Sequence, residues 1–275
     1  MTSNPIKESF KIILKKLGLF EMAVRAYSSA LNWRKIGTAF TNQRLRLSNA
    51  TGGAKVPPPE LLYLVAGSKE VRWFLHSGKL GFETIADVLR KNGIGLNLDK
   101  VLDFGCGCGR VLRHWRQVEK VRLFGTDYNS RLIAWCKENL PFARFGVNEL
   151  APPLTYNDDE FDFVYALSVL THLPEELQFR WVEELKRIIR PGGYLLITTH
   201  GSHYLSELDA DERRHFEDNK LVVRSWEASG TNRCATFHPE KYVREKLVDG
   251  FEVIDFIAKG ARGNPEQDLY LLQKK

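Results

Sequence analysis

The apolar positions of this chain change their period near residue 100. Before it they recur at helical spacing. Ile6, Phe10, Ile13, Leu14 and Leu17 share one face of residues 5–17, while Lys7, Lys11 and Lys15 form a separate i, i+4 stripe. That is the pattern of a basic amphipathic helix. Gly18 is expected to end it, with a second helix over 20–35. Residues 49–59 hold three prolines and two glycines and read as a linker. Helical patterns follow at 60–65, 69–75 and 81–92, the last with Phe82, Ile85, Val88 and Leu89 on one face.

Beyond residue 100, short apolar runs alternate with helical ones. Strands are expected at Val101–Phe104, at Leu123–Gly125 running out into Thr126 and Asp127, and at Ala143–Gly146, Phe161–Leu167 and Tyr194–Thr199. Helices are expected between them over 111–117, 130–139 and 174–189, with Arg190-Pro-Gly-Gly193 stopping the last. Residues 201–237 read as a long irregular stretch and 238–248 as a helix. Two strands, Phe251–Ala258 and Asp268–Gln273, close the chain around a Gly/Asn/Pro turn. This alternation predicts an α/β fold: a doubly wound, mostly parallel seven-stranded sheet ending in an antiparallel hairpin, with ligands at the carboxyl ends of the strands.

Composition adds a constraint of place. The chain has 275 residues and a net charge of +6, but residues 1–50 carry nine basic and two acidic side chains. The remaining residues hold 31 basic and 32 acidic ones, so the basicity belongs to the N-terminal arm. A near-neutral body argues against a nucleic-acid partner, which calls for a broad basic face. Cys106 and Cys108 stand too close for an ordinary disulfide, and no Cys or His pair has zinc-finger spacing. Reduced thiols, no metal and a cytosolic chain are expected. No run is apolar enough to span a membrane, and the lysines interrupt any secretory signal. A basic helix over 5–17 suits peripheral contact with the inner face of a membrane, or packing on a partner or on its own domain. A mitochondrial presequence over 1–35 is a competing reading of the same composition.

The chemistry is carried by Val101-Leu-Asp-Phe-Gly-Cys-Gly-Cys-Gly-Arg110, a strand entering a glycine-rich turn ahead of a helix. Glycines let a ligand approach the backbone, and a helix N-terminus offers free N–H groups. The third glycine of a G-x-G-x-x-G dinucleotide fingerprint would fall on Arg110. Asp103, two residues before Gly105, would repel a pyrophosphate and suit an ammonium group or ordered water.

That run resembles the first motif of the class I S-adenosylmethionine-dependent methyltransferase family, and the resemblance continues in order. Leu123-Phe-Gly-Thr-Asp127 matches the second motif, which implies that Asp127 binds the ribose hydroxyls and Tyr128 lies against the adenine. Gly146-Val-Asn-Glu-Leu150 matches the third, with Asn148 where the family often has Asp to meet the adenine amino group. Phe161-Asp-Phe-Val-Tyr-Ala-Leu-Ser-Val-Leu-Thr-His-Leu-Pro174 matches the fourth strand, whose end passes the methionine part, and Arg190-Pro-Gly-Gly-Tyr-Leu-Leu-Ile197 the fifth. The resemblance implies S-adenosyl-L-methionine as cofactor. It implies contacts from Asp103, Gly105, Cys106, Gly107, Gly109, Asp127, Tyr128, Asn148, Glu149, Leu150, Ala166 and Leu167. Residues 1–55 lie outside it, as a basic extension and linker. Residues 56–95 look like a helical cap over the cofactor, and 96–275 like the methyltransferase domain. Each polar residue also has a plainer reading: Asp127 as a helix cap, Asp103 as a brace of the turn, Asn148 as a turn residue.

A sulfonium brings its own electrophilic methyl group, so the chain must align an acceptor and exclude water. A base is needed only for a hydroxyl or protonated amine. His172 and His200 sit where the fourth and fifth strands should end, and both are candidate bases. Glu149 is a third. The acceptor pocket is expected between residues 201–237 and the cap. The expected activity is methyl transfer to a small-molecule, glycan or lipid-linked acceptor, at oxygen. The rivals are N-methylation of a small molecule or peptide, a non-catalytic cofactor-binding partner, and RNA methylation. Oligomeric state is not readable from the sequence.

Overall fold

The computed structural model describes residues 41–43, 45, 54–263 and 265–275. The chain divides into two compact units, Met1–Gly53 and Ala54–Lys275. The second holds the sheet and the helices that flank it. The helices expected over 5–17 and 20–35 lie outside the described residues.

Helix α1 (Pro59–Ala66) starts with proline in its first turn and ends at Gly67, whose φ of 62° is left-handed. Such an end suits a residue without a Cβ. Helix α2 (Val71–Lys91) is one continuous rod, where two helices were expected at 69–75 and 81–92. Its interior glycines do not break it. A Cβ on Gly78 would stand 2.1 Å from the backbone oxygen of Arg110, and one on Gly81 would stand 3.0 Å from Val111 Cγ2. These glycines let the helix lie directly on the turn that follows the first strand.

The rest of the unit alternates. Strand β1 (Lys100–Phe104) leads to α3 (Leu112–Trp115), β2 (Arg122–Asp127) to α4 (Ser130–Asn139), then β3 (Ala143–Val147) and β4 (Phe161–Ala166). Helix α5 (Glu175–Ile188) runs straight into β5 (Ile189–Thr199). The Arg190-Pro-Gly-Gly193 run therefore lies inside a strand, where the β4–β5 register shifts between Phe161 and Phe163.

Residues 201–237 are more ordered than expected. Helix α6 (Ala210–Glu217) opens with a capping box between Asp209 and Glu212, which satisfies otherwise orphaned N–H groups. Strands β6 (Val222–Arg224) and β7 (Ala235–Phe237) pair as a small antiparallel sheet. Helix α7 (Glu240–Tyr242) continues as a π turn over Val243–Leu247, ahead of β8 (Phe251–Ile257) and β9 (Asp268–Lys274).

The main sheet has seven strands in the order β3-β2-β1-β4-β5-β9-β8. Strands β1 to β5 run parallel, and β9 runs antiparallel to both β5 and β8. The expected terminal hairpin is therefore inserted with β9 inside. Successive residues of a strand face opposite sides, and the core divides accordingly. Leu102, Phe104, Val164, Ala166 and Ile197 pack with Trp181 and Leu185 of α5. Val101, Phe163, Tyr165 and Leu196 pack with Trp115 and with Ile85 and Leu89 of α2. Each large apolar side chain fully buried this way contributes roughly 1.5–3 kcal/mol. Among the described residues no helix is long and apolar enough to cross a membrane.

Candidate active site

Strand β1 ends in three glycines with left-handed backbone, Gly105, Gly107 and Gly109. All three face close neighbours: a Cβ on Gly105 would stand 2.4 Å from Val169 Cγ2, one on Gly107 2.8 Å from Val65 Cγ2, and one on Gly109 2.7 Å from Leu140 Cδ1. A side chain at any of the three would collide with the neighbour that packs on the turn. The turn is braced from β2, because the amides of Gly105 and Cys106 donate to the Thr126 carbonyl at 2.8 and 3.0 Å. The thiols of Cys106 and Cys108 are buried, and burial pushes both well above the usual range. They stay protonated and fill space.

Asp127, at the end of β2, joins the turn to the next helix. Its Oδ2 accepts the Gly107 amide at 2.9 Å and its Oδ1 the Asn129 amide at 2.8 Å. Burial raises its pKa, and the two amides oppose the shift. Each oxygen keeps a further lone pair, so the carboxylate is oriented without being saturated. Asp103 lies one strand inward, with Gly125 and Tyr165 as its neighbours in register. Burial raises its pKa to about 7, against the Tyr165 hydroxyl and the Arg110 guanidinium. A cation arriving here would meet a carboxyl ready to ionise.

These groups border one cavity of about 590 Å³. Asp103, Gly105, Cys106, Gly107, Asp127, Tyr128, Asn148, Glu149, Leu150, Leu167 and His172 all line it. The amide of Asn148 is fixed, its Oδ1 accepting from Thr126 Oγ1 at 2.7 Å and its Nδ2 donating to the Glu149 carbonyl at 2.7 Å. Trp181 Nε1 donates to the Leu150 carbonyl at 3.0 Å, which ties the segment after β3 to α5. Tyr128 and Leu150 stay half-exposed at the rim.

Three expected site residues are not on the lining. Gly109 shapes the turn instead, its amide donating to the Cys106 carbonyl at 2.9 Å. Ala166 points into the core beside α5 and has no exposed surface. His200 corrects the expectation most clearly. Strand β9 covers the end of β5, and His200 bridges to Phe237 of β7. Its ring lies 4.5 Å from Tyr204 and 5.4 Å from Phe237. Its Nδ1 meets the Thr236 carbonyl at 3.2 Å and its Nε2 the Gln267 amide at 3.1 Å. Burial lowers its pKa to about 4. The imidazole is a satisfied packing group away from the cavity.

His172 differs in each respect. It lines the cavity, and its Nδ1 lies 2.8 Å from the Cys234 carbonyl. A carbonyl only accepts, so Nδ1 carries the proton and Nε2 keeps the lone pair. Burial lowers its pKa, opposed by that carbonyl, and holds the ring in this neutral form.

The lining also includes residues that the sequence did not single out, although the cap and the stretch 201–237 were expected to wall the pocket. Ser168 has a left-handed φ of 60°, and its amide donates to Thr198 Oγ1 at 2.8 Å. Tyr63, Leu64 and Val65 come from α1, and Gly230, Thr231, Asn232 and Arg233 from the loop between β6 and β7. The Pro-rich start of α1 was a readable signal. The loop has no periodicity to betray it. Among the described residues no group of three or more His, Cys, Asp or Glu is placed to hold a metal.

Residues 102–197 match the family described as "Methyltransferase domain". Over 135 residues the chain is 28% identical to a ubiquinone biosynthesis O-methyltransferase, mitochondrial, of Dictyostelium discoideum, covering 44% of this chain and 41% of that protein. Over 171 residues it is 24% identical to tRNA N(3)-methylcytidine methyltransferase trm140 of Schizosaccharomyces pombe, covering 57% of this chain and 54% of that one. The chain thus spans about half, or less, of each relative's length. A solved S-adenosylmethionine-dependent methyltransferase from Mesorhizobium loti superposes with a TM-score of 0.53 at 17% identity, over 70% of this chain and 100% of its own. At that identity the likeness shows the fold alone.

Proposed function

We propose that the chain, whose residues 102–197 match the family described as "Methyltransferase domain", is a class I S-adenosylmethionine-dependent methyltransferase that methylates an oxygen of a small or lipid-linked, largely apolar acceptor. One observation carries the reading: a single cavity holds both the glycine turn with its Asp127 carboxylate and the base-competent tautomer of His172.

The residues fit the cofactor. Gly105 and Gly107 border the cavity with bare backbone, which a ligand can approach without a side chain in the way. Asp127 has lone pairs for two ribose hydroxyls, Tyr128 and Leu150 offer flat and apolar surface to adenine, and Asp103 faces the cationic portion. When bound, S-adenosylmethionine supplies an electrophilic methyl group on a sulfonium. The chain's own task is positional. Val169 and Leu167 line an apolar part of the cavity that keeps water out, and His172 Nε2 takes the proton from an acceptor hydroxyl. A positioned base of this kind is worth about 10²–10⁴-fold. Because the two relatives act on unlike acceptors by their names, the acceptor is argued from the site. Oxygen is favoured by the neutral imidazole, and an apolar acceptor by Tyr63, Leu64 and Leu150 on the lining.

Calorimetry with S-adenosylmethionine tests the first half. Wild type is expected to bind, and Asp127→Ala to bind roughly 10–100-fold more weakly, the worth of one or two hydrogen bonds to a charged group. Transfer of labelled methyl groups into a lipid extract tests the second. His172→Gln should lose about 10²-fold or more in turnover while keeping cofactor affinity. Absence of wild-type binding would overturn the whole reading.

A further inference from the structure

We propose that the acceptor is a monoanion, an apolar body bearing one carboxylate, and that Arg233 reads the carboxylate at the cavity mouth. This rests on the methyl-transfer reading and names the substrate class of the same site.

The charges of the lining decide it. Among the described residues, three carboxylates border the cavity, those of Asp103, Asp127 and Glu149, with two guanidiniums, those of Arg110 and Arg233. Arg110 is committed to the protein: its Nη1 donates to the Gly263 carbonyl at 3.1 Å, and the group lies 5.7 Å from the Trp73 ring. Arg233 is not committed. Its backbone amide donates to Thr231 Oγ1 at 3.3 Å, and its guanidinium has no hydrogen bond or ion pair among the described residues.

An exposed arginine alone would mean little, but this one is held in place. The Gly230 amide donates to the His172 carbonyl at 2.7 Å. Asn232 Nδ2 reaches the Leu64 carbonyl at 3.4 Å. The Cys234 carbonyl accepts from His172 Nδ1 at 2.8 Å. Residues 230, 232 and 234 are thus pinned to both sides of the cavity, and Arg233 sits between pins. The residue that orients the proposed base is its immediate neighbour in the chain. An anion gripped by Arg233 therefore fixes the rest of the acceptor relative to His172.

The remaining mouth is apolar and open to solvent, with Tyr63 at 55% and Leu64 at 41% exposure. Open apolar surface at a pocket rim marks a place for ligand. Among the described residues of the lining, one free guanidinium stands with three carboxylates, a balance that suits a single negative charge and repels a phosphate dianion. The planar fork matches a carboxylate in two parallel hydrogen bonds.

The test uses the full chain saturated with S-adenosylhomocysteine at pH 8, titrated with octanoate, octanol and octyl phosphate. Octanoate is expected to bind at least about tenfold more tightly than the other two. Arg233→Gln should erase that preference, Arg233→Lys should keep part of it, and S-adenosylhomocysteine affinity should be unchanged in both. Octanol or octyl phosphate binding as tightly as octanoate would overturn the proposal, as would a preference that survives Arg233→Gln. Failure of S-adenosylhomocysteine to bind wild type would instead strike the underlying methyl-transfer reading, before any acceptor is added.

Discussion

Asp103 and Asp127 look alike in the sequence, each an acid near the end of a strand, yet the structure gives them different work. Asp127 has an amide on each oxygen, whereas Asp103 is buried deeply enough to titrate at about 7. An acid whose folded pKa lies above its unfolded value is most stable in the fold when protonated. Its contribution is full below pH 3.8 and is lost as pH rises through about 7. Binding runs the other way, because a cation prefers the ionised form. The affinity for S-adenosylhomocysteine, whose ammonium is cationic, should rise about tenfold between pH 6 and 8, the ratio expected for one group titrating at 7. Asp103→Asn should flatten that profile and raise the melting temperature at pH 8. A wild-type profile already flat over this range would remove Asp103 from the cofactor's surroundings. The place of Asp127 was legible because the second apolar run ends there, in register with the glycine turn. The place of His200 was not. Its strand does end there, but β9 inserts beside β5, and a pairing made by the last residues of the chain leaves no mark near residue 200. Arg233 was legible only as part of the stretch expected to wall the pocket; that its guanidinium has no partner among the described residues is revealed by the folded loop alone.

At the scale of elements, the sequence was clearest where period and punctuation agree. The seven strands of the main sheet and their mixed direction follow from alternating apolar runs and a short terminal turn. It was least clear where a glycine acts across space. Gly78 reads locally as a break, but it sits within α2 because a Cβ would meet the Arg110 backbone oxygen at 2.1 Å. Two physical effects oppose each other at this position, and their signs differ. Helix propensity alone says that Gly78→Ala stabilises by about 1 kcal/mol. Steric overlap with backbone says that it destabilises by roughly 1–3 kcal/mol or more. Overlap should win, since the neighbour is main chain next to the braced glycine turn and cannot swing aside. The melting temperature should fall by several degrees, and cofactor affinity should fall with it because Arg110 borders the cavity. A higher melting temperature for the variant would show that α2 does not rest on the turn. The same reasoning explains Arg190-Pro-Gly-Gly193, whose residues look like a stop and lie in β5. There a Cβ on Gly193 would stand 3.0 Å from the Asp162 backbone oxygen.

For the whole molecule the question is where an enzyme with this site would meet its acceptor. The unit Ala54–Lys275 is close to neutral, and the nine basic and two acidic side chains of residues 1–50 fall within the other unit. An apolar monoanion of the kind Arg233 would read is sparingly soluble and gathers at membranes. A near-neutral catalytic unit gains little attraction to an anionic surface, while each Lys or Arg close to such a surface contributes about 1 kcal/mol. On the proposed acceptor, charge and substrate would point the same way, and the arm would supply the attraction that the unit Ala54–Lys275 lacks. In flotation with phosphatidylserine vesicles at low salt, the full chain should rise with the lipid, and a chain lacking residues 1–53 should stay behind. With uncharged phosphatidylcholine vesicles neither should rise. Raising the salt should release the full chain, because exposed charges are screened beyond about 10 Å at 0.1 M. The truncated chain should still bind S-adenosylhomocysteine as tightly as the full one, since every described residue of the cavity lies in the second unit. Equal flotation of the two chains would separate the basic arm from the membrane. The acceptor would then have to reach the mouth at Tyr63 and Leu64 from solution or from a carrier.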